Sequence, residues 1–163
     1  MRKLIVACHC VEVVALAVWA GGLVGIIASV IPAVFNSTIN MEVGGRILTR
    51  TFQGYDRMAL IAAGLIVAGT LVRVAVAGPW REQIGMSELT LMGVMVMTAI
   101  VLTFWLNPAT VRLQELAFGA NEEAKRAAYD EFFVYHRVAR ALYIMNLGLG
   151  ITWLCVKVKT WVR

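Results

Sequence analysis

Apolar residues along this chain gather into four blocks, separated by charged segments. The first block runs from Leu4 to Phe35 and holds a span such as 13–34. The others cover about 58–77, 89–106 and 138–156. Each is close to the roughly 20 residues a helix needs to cross hydrocarbon. Lipid offers no partner to an open backbone, so blocks of this length are read as helices. They occupy roughly half the sequence and leave no room for a separate soluble domain. The pattern predicts one all-α domain over 1–163, an integral membrane four-helix bundle. Arg2-Lys3 and Ala15-Leu16-Ala17 have the form of a cleaved leader, but the apolar run continues to Phe35. That is too long for an h-region of about 7–15 residues, so the block is read as a span.

Between the blocks, turn chemistry predicts further helix. Asn107-Pro108 reads as an N-cap followed by proline at the first helical position. A short outer amphipathic segment should run from there to Gly119, a natural C′ residue. Asn121 should cap a last helix whose first turn holds Glu122 and Glu123, favourable at the positive helix end. No Gly or Pro interrupts it before Gly148. It should therefore run from about Glu122 to Lys157 and project beyond the bilayer.

Composition strengthens the membrane reading. The chain has 60% hydrophobic and 15% charged residues, against about 45–50% and 25% for soluble domains. That excludes a disordered chain. The net charge of +5 sits at the flanks of the apolar runs, with no basic stretch interleaved with aromatics. This points to membrane orientation and anionic lipid headgroups, not to nucleic acid. The segments on the side of the termini are short and dense in Lys and Arg (Arg2, Lys3, Arg73, Arg81, Lys157, Lys159, Arg163). Both termini are therefore expected in the cytoplasm, as in a bacterial inner membrane. Trp80 and Trp161 on one side, and Tyr55 and Trp105 on the other, suit interfacial belts. Cys8, Cys10 and Cys155 read as reduced, buried small hydrophobes.

Few residues carry candidate chemistry. Ala17, Gly21, Gly25 and Ser29 recur every fourth residue, and Gly64 and Ala68 repeat the step. Such stripes let helices approach closely in lipid, here chiefly within the monomer, otherwise in an oligomer or against a partner. Glu12 lies inside the first apolar run and Arg73 at similar depth in the second, so the two can form a buried ion pair. His9 shares the helical face of Glu12 and could ligate haem. His136 falls at the opposite face of the membrane, too far for the two histidines to share one iron across about 30 Å of hydrocarbon. Met86, Met92 and Met95, with Cys8 and Cys10, contain the soft donors of a copper(I) site, but methionine also fills gaps in helix packing. No catalytic triad, phosphate loop, HExxH or paired-carboxylate cleft is present in the sequence.

Several of these residues form a pattern. Trp19-x-Gly21-Gly22 is followed by Pro32-x-x-Phe35, then Gly44-Gly45-Arg46 and Phe52, and later Phe132-x-x-x-His136 with Asn146 ten residues on. The chain thereby resembles the transmembrane protein 205-like family, whose domain has no assigned function. The resemblance implies a fold and no reaction. In that family a serine often stands three residues after the histidine; here it is Ala139. His9, Trp19, Gly21 and Pro32 also bear a more distant likeness to four-helix membrane protoporphyrinogen oxidases and copper-resistance membrane proteins. Along the last helix, Phe132, His136, Tyr143 and Asn146 fall near one face, a stripe suited to interhelical hydrogen bonds.

The sequence thus predicts a non-catalytic integral membrane protein without a cofactor. It would be an accessory subunit of a larger membrane complex, or a homo-oligomer, with Phe132, Phe133 and Tyr135 on its partner face. The alternatives are a haem- or metal-binding redox protein using His9, and a small transporter built on Glu12 and Arg73.

Overall fold

The computed structural model describes residues 2–77, 84–119 and 122–161. Trp80, Arg81, Asn121 and Arg163, and the side chains of Glu122, Glu123 and Trp161, lie outside the described residues. The described chain is helical except at 38–40 and 84–85. Helix α1 (Arg2–Gly25) continues through a π-turn (Ile26–Val30) into α2 (Ile31–Ser37). Helix α3 covers Met41–Ala77. Helix α4 (Met86–Val101) likewise continues through a π-turn (Leu102–Leu106) into α5 (Asn107–Gly119), and α6 covers Glu122–Trp161. Four helical stretches, Arg2–Ser37, Met41–Val76, Met86–Phe118 and Lys125–Lys159, are long and apolar enough to cross a membrane. The architecture is the predicted all-α four-helix membrane bundle.

The helices are longer than the apolar blocks. α3 starts seventeen residues before the expected span, because Asn40 caps it: its Oδ1 accepts from Glu42 N at 2.9 Å. Asn107 does not cap a new helix, contrary to expectation. It is helical itself, and its N–H bonds back to Leu102 O. The reason is the π-turn. Proline lacks a donor and its ring crowds the carbonyl four residues back. In both rising helices one wide turn ends two residues before the proline, at Val30 before Pro32 and at Leu106 before Pro108. The strain is absorbed without breaking the helix.

These two helices repeat one another. Glu12 precedes Pro32 by twenty residues, Glu88 precedes Pro108 by twenty, and alanine follows each proline. Trp19, Leu23 and Ile26 are buried, as are their equivalents Met95, Ala99 and Leu102. The bundle is thus two similar hairpins, α1–α3 and α4–α6, around a core of Leu16, Trp19, Leu23, Ala62, Ile66, Met95 and Trp153.

The small-residue stripes do not build that core. Ala17, Gly21, Gly25, Ser29, Gly64 and Ala68 are all exposed, and a Cβ added at Gly21, Gly25 or Gly64 would meet nothing within 4 Å. Close approach within the chain falls instead to Gly22, Gly69 and Gly150. There an added Cβ would lie 2.5 Å from Met58, 3.0 Å from Glu12 and 3.3 Å from Leu16. The expected packing of the stripes inside the monomer is therefore corrected. Lipid is as apolar as the core, so a four-residue repeat of small side chains cannot tell which side faces in.

Candidate functional site

Each of the four spanning helices delivers one charged side chain to a single level near the terminal end of the bundle. These are Glu12 from α1, Arg73 from α3, Glu88 from α4 and Lys157 from α6. None of the four side chains is more than 5% exposed. Arg73 Nε donates to Glu12 Oε1 at 2.9 Å, and Arg73 Nη2 to Glu88 Oε1 at 3.1 Å. Lys157 Nζ donates to Glu88 Oε1 at 3.2 Å and also to Glu12 Oε2. The four residues close a ring with two positive and two negative charges. Two of its pairs lie within a hairpin (Glu12–Arg73, Glu88–Lys157) and two join the hairpins (Arg73–Glu88, Lys157–Glu12).

Neighbours occupy the remaining polar capacity. Thr70 Oγ1 donates to Glu12 Oε1 at 3.1 Å. Lys157 Nζ lies 4.4 Å from the centre of the buried Trp153 ring, a cation–π contact. His9 borders the ring, with Nδ1 3.7 Å from Glu12 Oε2 and Nε2 3.5 Å from Arg73 Nη1. A haem iron taking Nε2 would have to displace that guanidinium. The three methionines with soft donors face different surroundings. Met95 is in the core, the Met92 sulfur meets Thr70 Oγ1 at 3.7 Å, and Met86 is exposed. Cys8 is buried, whereas Cys10 and Cys155 are exposed, against expectation. Their flanks face outward because lipid accepts a thiol as readily as a core does.

A second polar cluster lies distal to the ring. Asp56 accepts from Tyr143 OH at 2.8 Å and from Asn107 Nδ2. Tyr55, expected in an interfacial belt, is instead buried with its OH on Trp19 O at 3.2 Å. The hydroxyl satisfies a helix carbonyl, and the ring packs edge-on to Tyr143 at 5.9 Å. Asp56 stands seventeen residues before Arg73 on α3, about 25 Å along the axis. Arg57, Trp105 and Arg140 stand at the same height and are exposed. With the exposed Lys159 at the other end, they frame a slab close to the roughly 30 Å of a hydrocarbon core.

The motif of the last helix divides. Tyr143 and Asn146 point inward, and Asn146 Nδ2 donates to Met95 O at 3.4 Å. His136 is exposed and stacks on the half-buried Phe132, with centroids 5.8 Å apart. α6 packs on α5 as well as on α4 and α1. Phe35 and Phe133 are exposed, and Tyr135 is half-buried.

Sequence reasoning reached Glu12, Arg73 and His9 but missed Glu88, Lys157 and Asp56. Each of these lies at the edge of an apolar block, where it reads as a flanking charge. The signal that could have found Glu88 is the repeated spacing from glutamate to Pro-Ala.

No curated protein matches this chain, and no solved structure does. A family model described as a domain of unknown function, DUF4149, matches residues 14–118. The match takes in Trp19, Pro32, Asp56, Arg73 and Glu88; Glu12 lies two residues before its start, and Lys157 falls well outside it, in the last helix. These matches give no support to a likeness to transmembrane protein 205-like proteins or to the four-helix oxidases. With well over half its length matched, this chain belongs to the DUF4149 family, an integral membrane fold whose function is not assigned.

Proposed function

We propose that the protein is a non-catalytic accessory subunit that packs against a larger membrane assembly. One observation carries this reading. Tyr129 and Phe133 are exposed on α6 and in edge contact at 4.8 Å, with exposed Val134 beside them. Phe133 lies 24 residues from Lys157, about 36 Å along the helix, which is beyond the roughly 30 Å of hydrocarbon. Exposed aromatic clusters outside lipid mark protein–protein contacts. The outward stripe of Ala17, Gly21, Gly25 and Ser29 supports the same reading inside the bilayer, where small residues admit a neighbouring helix.

In this reading the charge ring is an internal fastening with its donors and acceptors matched, and Glu12 has no free role in transport. The short basic segments support an orientation with both termini on the cytoplasmic side of a bacterial inner membrane. The test is native mass spectrometry of tagged protein gently extracted from its own membrane. Larger subunits should be released with it at fixed ratio. Tyr129→Ser with Phe133→Ser, or Gly21→Leu, should reduce their recovery severalfold while leaving the bundle folded. Unchanged recovery in all these variants would overturn the proposal, as would a lone chain carrying one haem mass.

A further inference from the structure

The two hairpins carry similar grooves on their lipid faces, and only one of them ends at a cation. The α4–α6 groove, about 430 Å³, is lined by residues such as Gly93, Val94, Met97 and Leu142, all uncharged. The α1–α3 groove, about 690 Å³, is lined by residues including Val14, Val18, Gly54, Met58 and Ile61, and Arg57 is the only charged one among the described residues. Met58 and Leu142 are equivalent in the hairpin repeat, as are Val18 and Val94, so the arginine is what separates the two grooves. Arg57 is exposed and has no hydrogen-bond or ion-pair partner among the described residues.

On α1 the groove continues to Cys10 beside the charge ring, and its distal part matches one lipid leaflet. Along α3 the groove runs from Gly54 to Leu65, eleven residues, about 16 Å. Half of a hydrocarbon core is about 15 Å. Arg57 lies sixteen residues from Arg73, about 24 Å distal of the charge ring. That is the height of exposed Trp105 and Arg140, the distal headgroup level. An unpaired guanidinium there offers a bidentate site for a phosphate, and the apolar trough below it fits an acyl chain. Gly54 keeps the entrance open, since a Cβ there would meet nothing within 4 Å. We infer that the α1–α3 groove binds one anionic phospholipid of the distal leaflet, its phosphate on Arg57 and an acyl chain along Val14, Val18 and Ile61.

The proposal is independent of the accessory role and is tested on the full chain, delipidated in detergent. Phosphatidylglycerol and phosphatidylcholine with the same acyl chains are titrated, and bound lipid is read by native mass spectrometry. One phosphatidylglycerol should bind about five- to tenfold more tightly than phosphatidylcholine. Arg57→Gln should erase that preference. Gly54→Trp should remove the bound lipid, and Gly93→Trp in the second groove should leave it in place. Thermal unfolding in detergent checks that each variant is folded; should Gly54→Trp fail this check, Arg57→Gln decides. A preference that survives Arg57→Gln overturns the inference. So does binding that survives in folded Gly54→Trp, or a dimer of the chain that occupies the groove in place of lipid.

Discussion

Glu12 is fully buried, and its two oxygens accept from a guanidinium, an ammonium and a hydroxyl. A carboxylate in hydrocarbon persists on such terms, because its desolvation is repaid only by close opposite charges and satisfied lone pairs. Removing one member of the ring then costs more than removing two. Glu12→Gln leaves two cations facing one carboxylate and should destabilise the protein by about 3–5 kcal/mol. The double variant Glu12→Gln/Lys157→Gln restores neutrality and should regain part of that loss. Thermal unfolding in detergent measures both, and strictly additive losses would refute the pairing. At the distal cluster, Tyr143→Phe removes one neutral donor from Asp56 and should cost about 1–3 kcal/mol. At this scale the sequence showed half of the ring. Glu12 and Arg73 stand well inside apolar runs, where a charge is conspicuous. Glu88 and Lys157 stand near the ends of theirs. Hydropathy measures distance from the end of a run, whereas burial depends on how far the neighbouring helices extend past it.

Helices are where periodicity says most and also where it misleads. The number of spans, their helical nature and the long last helix all follow from run length and from the absence of breakers. The inward face does not, because in lipid both faces are apolar and the amphipathic signal of a soluble helix is missing. Gly21 and Gly69 are alike in sequence terms and opposite in structure. A Cβ at Gly69 comes within 3.0 Å of Glu12 Cγ and 3.4 Å of Cys8 O, while one at Gly21 meets nothing. Gly69→Leu should force α1 from α3 and spoil the ring, lowering stability by about 1–3 kcal/mol or more. Gly21→Leu should change the stability of the isolated protein by less than about 1 kcal/mol. Equal effects in unfolding experiments would contradict the assigned faces. The π-turns were equally hidden. Proline predicts a stop or a kink, and only the continuous helix beyond it shows that one wide turn can absorb the ring.

The whole molecule is two hairpins fastened at one level, each with its own glutamate and its own cation. Chains severed between the second and third spans and co-expressed should therefore reassemble. Lys157→Leu should weaken that reassembly by removing one of the two pairs that cross the cut. Co-purification of the halves through a tag on one of them tests this, and recovery indifferent to Lys157→Leu would refute it. The pairing inside each hairpin also bears on how the protein is made. During synthesis the first hairpin reaches the bilayer before the residues of the second exist. Glu12 is separated from Lys157 by 145 residues but from Arg73 by only 61. As soon as α3 emerges, the acid of the first hairpin meets a base, and the second hairpin repeats the event with Glu88 and Lys157. Each unit can thus enter the membrane with its ring charges already cancelled, and the exchange of partners that joins the two can wait until both have arrived.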